Sequence, residues 1–220
     1  MSRDIKAIAR LKKLSEIYNL LIISFIVLLV LFIGFISGDD DMRAGNIRIL
    51  IATLISGIYV GVNLFIKLIT MADEITRGLT FGMTRKKLFV LERVADIAEI
   101  LVVACIAFLL IGRGSMIVKL IILVFGLFNW VEGLAGNNMM RYGKKAFWVY
   151  YIIYFAVILI FPRTLGASDK IVEITRLFMD WIRGAVLGQP QLWTGVVIFA
   201  IVGLMVNWLT FRKIPVNYSV

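Results

Sequence analysis

An all-α, polytopic membrane protein with six transmembrane helices is the fold that this sequence predicts, and three observations carry the expectation. The chain of 220 residues is 61% hydrophobic, well above the roughly half of ordinary soluble domains, and its mean hydropathy is +0.95. The apolar residues gather in blocks of about 17–25, each able to cross a hydrocarbon core of roughly 30 Å as a helix. Lys and Arg collect between the blocks on one side, as cytoplasmic segments do. An N-terminal amphipathic interfacial helix and a short external amphipathic helix before the last span complete a single transmembrane domain, 1–220.

Residues 1–15 are basic and amphipathic. Ile5, Ile8, Leu11 and Leu14 recur every third residue, with Arg3, Lys6, Arg10, Lys12 and Lys13 between them. The pattern fits a helix in the headgroup plane or a charged flank that sets orientation. The first span follows, about Ile17 to Ser37. It is too long for a cleavable leader, and acids rather than a small-residue cleavage site come after it. Asp39 to Asp41 form an external acidic turn.

The second span runs from about Ile47 to Met71. Ser56, Gly57 and Gly61 allow close helix approach, Asn63 asks for a partner, and Arg48 and Lys67 are placed to snorkel to the two interfaces. The polar stretch Asp73 to Arg93 comes next. It holds Gly78, Gly82 and the basic cluster Arg85, Lys86 and Lys87. Thr84 is placed to cap a short helix, RKKLFVLER, which leads into the third span, about Val94 to Ile111.

A tight turn, Gly112-Arg113-Gly114, precedes the fourth span, about Ser115 to Leu134. The chain then returns through a basic loop around Gly143, 138–145. The fifth span, about Ala146 to Phe161, is rich in aromatics, some of them placed as an interfacial belt, and Pro162 ends it. Residues 163–190 alternate apolar and charged positions with helical period, too short and too charged to span. The sixth span is about Leu192 to Phe211. The basic excess of the N-terminal segment, the two loops and the tail puts both termini in the cytoplasm of a cell-membrane protein.

The net charge of +10 comes with no histidine. Most of that charge flanks apolar blocks, where it orients the chain and meets anionic lipid, so the partner it implies is the bilayer and not nucleic acid. A single cysteine, Cys105, cannot form an internal disulfide, and without histidine a zinc or iron site is not expected. No G-x-x-x-x-G-K-[ST] loop for nucleotide is present, and no H-E-x-x-H or G-x-S-x-G. Catalytic residues are therefore not expected. Glu99 near the start of the third span, and Asn129 and Glu132 in the fourth, form a possible intramembrane polar site, and Asp96 is a further acid at the start of the third span. Charge inside a span is costly. These residues read either as a proton or ion relay on Glu99 and Glu132 or as interhelical glue near the headgroups, with Arg93 in reach of Asp96.

Three segments, in their order and spacing, resemble a small ABC-2-type permease, the membrane half of an ABC exporter whose ATPase is a separate chain. They are GLTFGMTRKKLFVLER after the second span, MMRYGKKAFWV before the fifth, and FRKIPV near the end. The resemblance implies a coupling helix that docks on the ATPase, carried here by Gly82, Met83, Thr84, Arg85, Lys86, Lys87, Leu88 and Phe89. It implies two ATPase copies that hold ATP and Mg, no cofactor in this chain, and a second membrane subunit, identical or related. The cargo would be hydrophobic or amphipathic: an antimicrobial or cytolytic peptide, a lipid or a drug. A proton- or ion-coupled carrier or channel using Glu99 and Glu132 is the alternative.

Overall fold

The computed structural model describes residues 3–37, 47–112, 114–167 and 190–214, with Glu173 and Leu177 as isolated helical positions. Among these residues the chain forms helices joined by short turns. In order they are α1 (Arg3–Ser37), α2 (Ile47–Thr80), α3 (Arg85–Ile111), α4 (Gly114–Tyr142), α5 (Lys144–Ala167) and α6 (Pro190–Phe211). Helices α1, α2, α3, α4 and α6 each hold a stretch long and apolar enough to cross a membrane. Helix α5 is 24 residues long and covers the expected fifth span.

The surface matches a hydrocarbon environment. Phe35 is 83% exposed and Leu109 82%, and Leu20, Phe25, Leu28 and Phe32 widen the apolar face of α1. Water rarely meets so large an apolar patch on a monomer. Polar side chains turn the other way: Asn19, Asn63, Asp96, Asn129, Glu132 and Asn207 are all buried.

Several expected loops prove to be helix. No break separates an interfacial segment from the first span: α1 is continuous over 35 residues, about 50 Å at 1.5 Å per residue. The polar stretch 73–93 is not a loop either. Helix α2 continues to Thr80 and α3 starts at Arg85, so the short helix expected at 85–93 is the first part of α3 and only residues 81–84 turn. Likewise α4 runs through to Tyr142, and Gly143 alone breaks the chain before α5. Its φ of +57° is a left-handed conformation, which glycine adopts without a Cβ clash. Pro162 does not end α5, which continues to Ala167. A proline removes one backbone donor from a helix, and here the helix goes on past it. The acidic turn at 39–41 and most of the external segment 163–190 lie outside the described residues; 163–167 belong to α5.

Helix α4 is the centre of the bundle, touching α2, α3, α5 and α6. Its longest seam is with α6. The two helices run parallel, since Gly126 lies against Ala200 and Gly133 against Asn207. Trp130 donates its indole N–H to Phe199 O at 3.0 Å, and Thr210 donates to Gly133 O at 2.9 Å. Close approach by small residues was expected at Ser56, Gly57 and Gly61 of the second span; it is closer here, while a Cβ on Gly61 would lie 3.7 Å from the Tyr154 hydroxyl. A Cβ built on Gly57 would meet no described atom within 4 Å. The α5 aromatics Tyr151, Tyr154 and Phe155 surround Phe65 of α2, and the Tyr154 hydroxyl donates to Gly61 O at 2.7 Å.

Candidate functional site: a basic turn backed by a buried ion network

At one end of the bundle α2 and α3 form a helical hairpin whose tip is residues 81–84. Gly82 takes φ +77°, and its N–H bonds Leu79 O at 3.0 Å. Thr84, in extended backbone, caps α3 by accepting from Lys87 N, which satisfies one of the N–H groups that a helix start leaves open.

The eight residues that the resemblance assigns to coupling divide by burial. Met83, Leu88 and Phe89 are buried in an apolar cluster with Ile8 of α1, Ile75 of α2, Phe211 at the end of α6 and Ile214 just past it. Gly82, Thr84, Lys86 and Lys87 are exposed, and so is the neighbouring Phe81. Arg85 is half-buried and donates to Arg212 O at 2.6 Å. Lys87 pairs with Asp4 of α1. The tip is therefore an exposed basic edge on a closed apolar base.

The polar site lies behind that base. Phe89 sits 5.4 Å below the Arg93 guanidinium, within the range of a cation–π contact. Arg93 Nη2 reaches Asp96 Oδ2 at 3.1 Å, and its Nη1 pairs with Glu132 and donates to Asn129 Oδ1 at 3.0 Å. Lys67 of α2 joins Asp96 at 2.8 Å and Glu132 at 2.6 Å. Lys12 of α1 joins Asp96 at 2.7 Å and Glu99 at 3.0 Å. Asn207 of α6 donates to Glu132 Oε2 at 2.7 Å and to Asn129 Oδ1 at 3.0 Å. Side chains from α1, α2, α3, α4 and α6 thus converge on one cluster.

The expected residues Asp96, Glu99, Asn129 and Glu132 do come together. Three of their partners were not foreseen in that role. Lys67 turns inward rather than to an interface, because Asp96 and Glu132 offer compensation that lipid does not. Lys12 faces the bundle rather than headgroups. Burial by itself would lower the Lys12 pKa, but the Asp96 and Glu99 carboxylates outweigh it and hold the ammonium well above the ordinary lysine range. Asn207 carried no signal beyond being an amide in an apolar run, as Asn63 did. Asn63 has its partner too: Asn19 Nδ2 donates to its Oδ1 at 3.0 Å.

Lys12, Lys67 and Arg93 face Asp96, Glu99 and Glu132, and the buried carboxylate of Glu92 lies 3.8 Å from Arg93 as well. The cavity inside the cluster is about 10 Å³, near the least that one water occupies. The cluster therefore binds helices together and leaves no room for a cargo. Among the described residues no group of His, Cys, Asp and Glu could hold a metal. Larger spaces lie elsewhere. An apolar cavity of about 430 Å³ opens between α2, α3 and α4, and a groove of about 670 Å³ between α1, α2 and α3. No family model, curated protein or solved structure matches the chain.

Proposed function

We propose that this chain is the membrane subunit of an ABC-type exporter, moved by a separate ATPase that grips the α2–α3 tip. In this reading all six helices span the cell membrane, both ends lie in the cytoplasm, and a second membrane subunit, identical or related, completes the complex. ATP and Mg stay on the ATPase.

One juxtaposition supports the reading. The exposed Phe81, Lys86 and Lys87 alternate along the tip with Met83, Leu88 and Phe89 of the buried cluster, and the Phe89 ring lies 5.4 Å from the Arg93 guanidinium. A push on the tip reaches Arg93, and from there Asp96, Glu132 and four other helices, through ion pairs that cost several kcal/mol to break, about 3–5 for a buried pair. Interiors packed in this way transmit displacement instead of absorbing it. Two largely apolar spaces in the bundle suit a hydrophobic or amphipathic cargo.

The test is a Phe81→Ala/Lys86→Glu variant purified from its native membranes. ATP hydrolysis that co-purifies with the wild type should be lost while the variant keeps the wild-type melting temperature. Normal assembly and export by the variant would remove the assignment. The ion-coupled alternative stands on less, because Glu99 and Glu132 already meet lysine or arginine. It requires pH-dependent flux in liposomes without nucleotide.

A further inference from the structure

Helix α1 has 35 residues, and at 1.5 Å per residue it exceeds the roughly 30 Å of hydrocarbon by about 13 of them. Its stretch suited to crossing is Ser15–Phe32, so residues 3–14 stand at or beyond headgroup depth. That part carries two kinds of cation. Lys12 turns into the bundle and bonds Asp96 and Glu99. Lys6, Arg10 and Lys13 are exposed, and their side chains form no ion pair or hydrogen bond among the described residues. The acids nearby are engaged or turned aside. Asp4 pairs with Lys87, and Glu16 is half-buried in the groove toward Ala95, Ala98 and Glu99 of α3.

The three exposed cations share one side of the helix. At 3.6 residues per turn, positions 6, 10 and 13 fall within about 60° of one another. Steps of three and four continue along that side to Ile17, Leu21 and Leu28, which are 45%, 57% and 66% exposed. The helix does not break between them. One side of α1 is thus cationic at its outer end and apolar along the rest. Lys13 lies about 6 Å from Ile17 along the axis, within a headgroup layer roughly 5–7 Å deep. Arg10 and Lys6 follow about 5 Å and 10 Å further out, near the screening length of about 8 Å at physiological salt.

We propose that this side of α1 binds an acidic phospholipid, its phosphate at Lys13 and Arg10 with Lys6 adding to the field, and its acyl chains along Ile17, Leu21 and Leu28. An acidic soluble protein would meet the cations but leave the apolar side without a counterpart. A zwitterionic lipid would cover the apolar side but bring no net charge to the cations. An amphiphile with net negative charge answers both, and polybasic segments beside a membrane span attract such lipids. The site stands apart from the ATPase reading. It requires only that α1 lies in a bilayer, and it holds in either leaflet.

The experiment uses the full chain in phosphatidylcholine nanodiscs with no ATPase present. The discs hold a small, equal fraction of either phosphatidylglycerol or phosphatidylcholine with a photoactivatable acyl chain, and cross-links are mapped by mass spectrometry. Labelling of residues 17–28, relative to the exposed Ile198, Ile201 and Met205 of α6, should be about fivefold higher with phosphatidylglycerol, roughly the factor that one basic residue near an anionic surface supplies. Lys6→Gln/Arg10→Gln/Lys13→Gln should bring the two lipids level at an unchanged melting temperature, while Lys6→Arg/Lys13→Arg should keep the preference. Arg141→Gln/Lys145→Gln/Lys213→Gln removes the same charge from exposed positions elsewhere and should leave the preference intact. Equal labelling by both lipids in the wild type would give the cationic side to a soluble acidic partner and overturn the proposal. A preference that survives the Lys6, Arg10 and Lys13 changes would overturn it too, as would one that the Arg141, Lys145 and Lys213 changes abolish as fully, which is attraction by net charge alone.

Discussion

Lys67 and Glu132 meet at 2.6 Å across 65 residues of sequence. The same lysine holds Asp96 at 2.8 Å, so one ammonium ties α2 to both α3 and α4. The ring of Phe128 lies 5.4 Å from it. A lysine placed to snorkel is instead the pin of the bundle.

Removing Glu132 tests that pin. Glu132→Ala takes a partner from Lys67, Arg93 and Asn207 at once. Breaking a buried ion pair from one side costs about 3–5 kcal/mol, and that loss is expected in denaturant unfolding in mixed micelles. Lys67→Met combined with Glu132→Leu should cost less than the sum of the two single changes. A loss below about 1 kcal/mol for Glu132→Ala would contradict the burial of the network.

Lys12 sets a pH expectation. Its folded pKa is raised above the unfolded value by Asp96 and Glu99, against the opposing effect of burial. A raised cation contributes fully below its unfolded pKa, about 10.4, and the contribution is lost only as pH climbs through the higher folded value. Lys12→Met should therefore destabilise the chain no less at pH 9 than at pH 6. A difference between wild type and variant that shrinks across this interval would reject the assignment.

The α4–α6 seam gives a steric prediction. A Cβ on Gly133 would lie 2.9 Å from the Asn207 backbone nitrogen. Backbone cannot step aside as a side-chain end can, so Gly133→Ala should cost about 1–3 kcal/mol through helix displacement. Gly57→Ala meets no described atom within 4 Å and should be neutral or stabilising by up to about 1 kcal/mol. Thermal unfolding of the two variants side by side separates the outcomes.

Thr84 gives a local one. Its hydroxyl is the acceptor for Lys87 N at the start of α3, and loss of such a cap costs about 1 kcal/mol. Thr84→Ala should speed amide exchange in the first turn of α3 while leaving the α4–α6 seam unchanged. Uniform exchange across both regions would show that the tip and the bundle do not separate in this way.

The sequence by itself determined the helical, membrane-embedded character, because block length and composition are local quantities. It placed the Thr84 cap for the same reason, since a cap needs only its neighbours in the chain. It also marked Asp96, Glu99, Asn129 and Glu132, because a charge or amide in an apolar run stands out without any fold. The helix ends were less legible. Polar residues at 73–80 and 135–142 resemble loop composition, yet helix persists where its backbone bonds remain available, and the helices end at left-handed glycines, Gly82 and Gly143 here and Gly112 after α3.

Only the tertiary structure decided which cation meets which acid and which glycines touch. Lys12, Lys67, Arg93 and Asn207 lie on different helices, and nothing in their spacing brings them to one point. Gly57 and Gly133 look alike in sequence, but one faces open space and the other a backbone. Pairing across helices depends on rotation and register, which the packed bundle fixes and the order of residues alone does not.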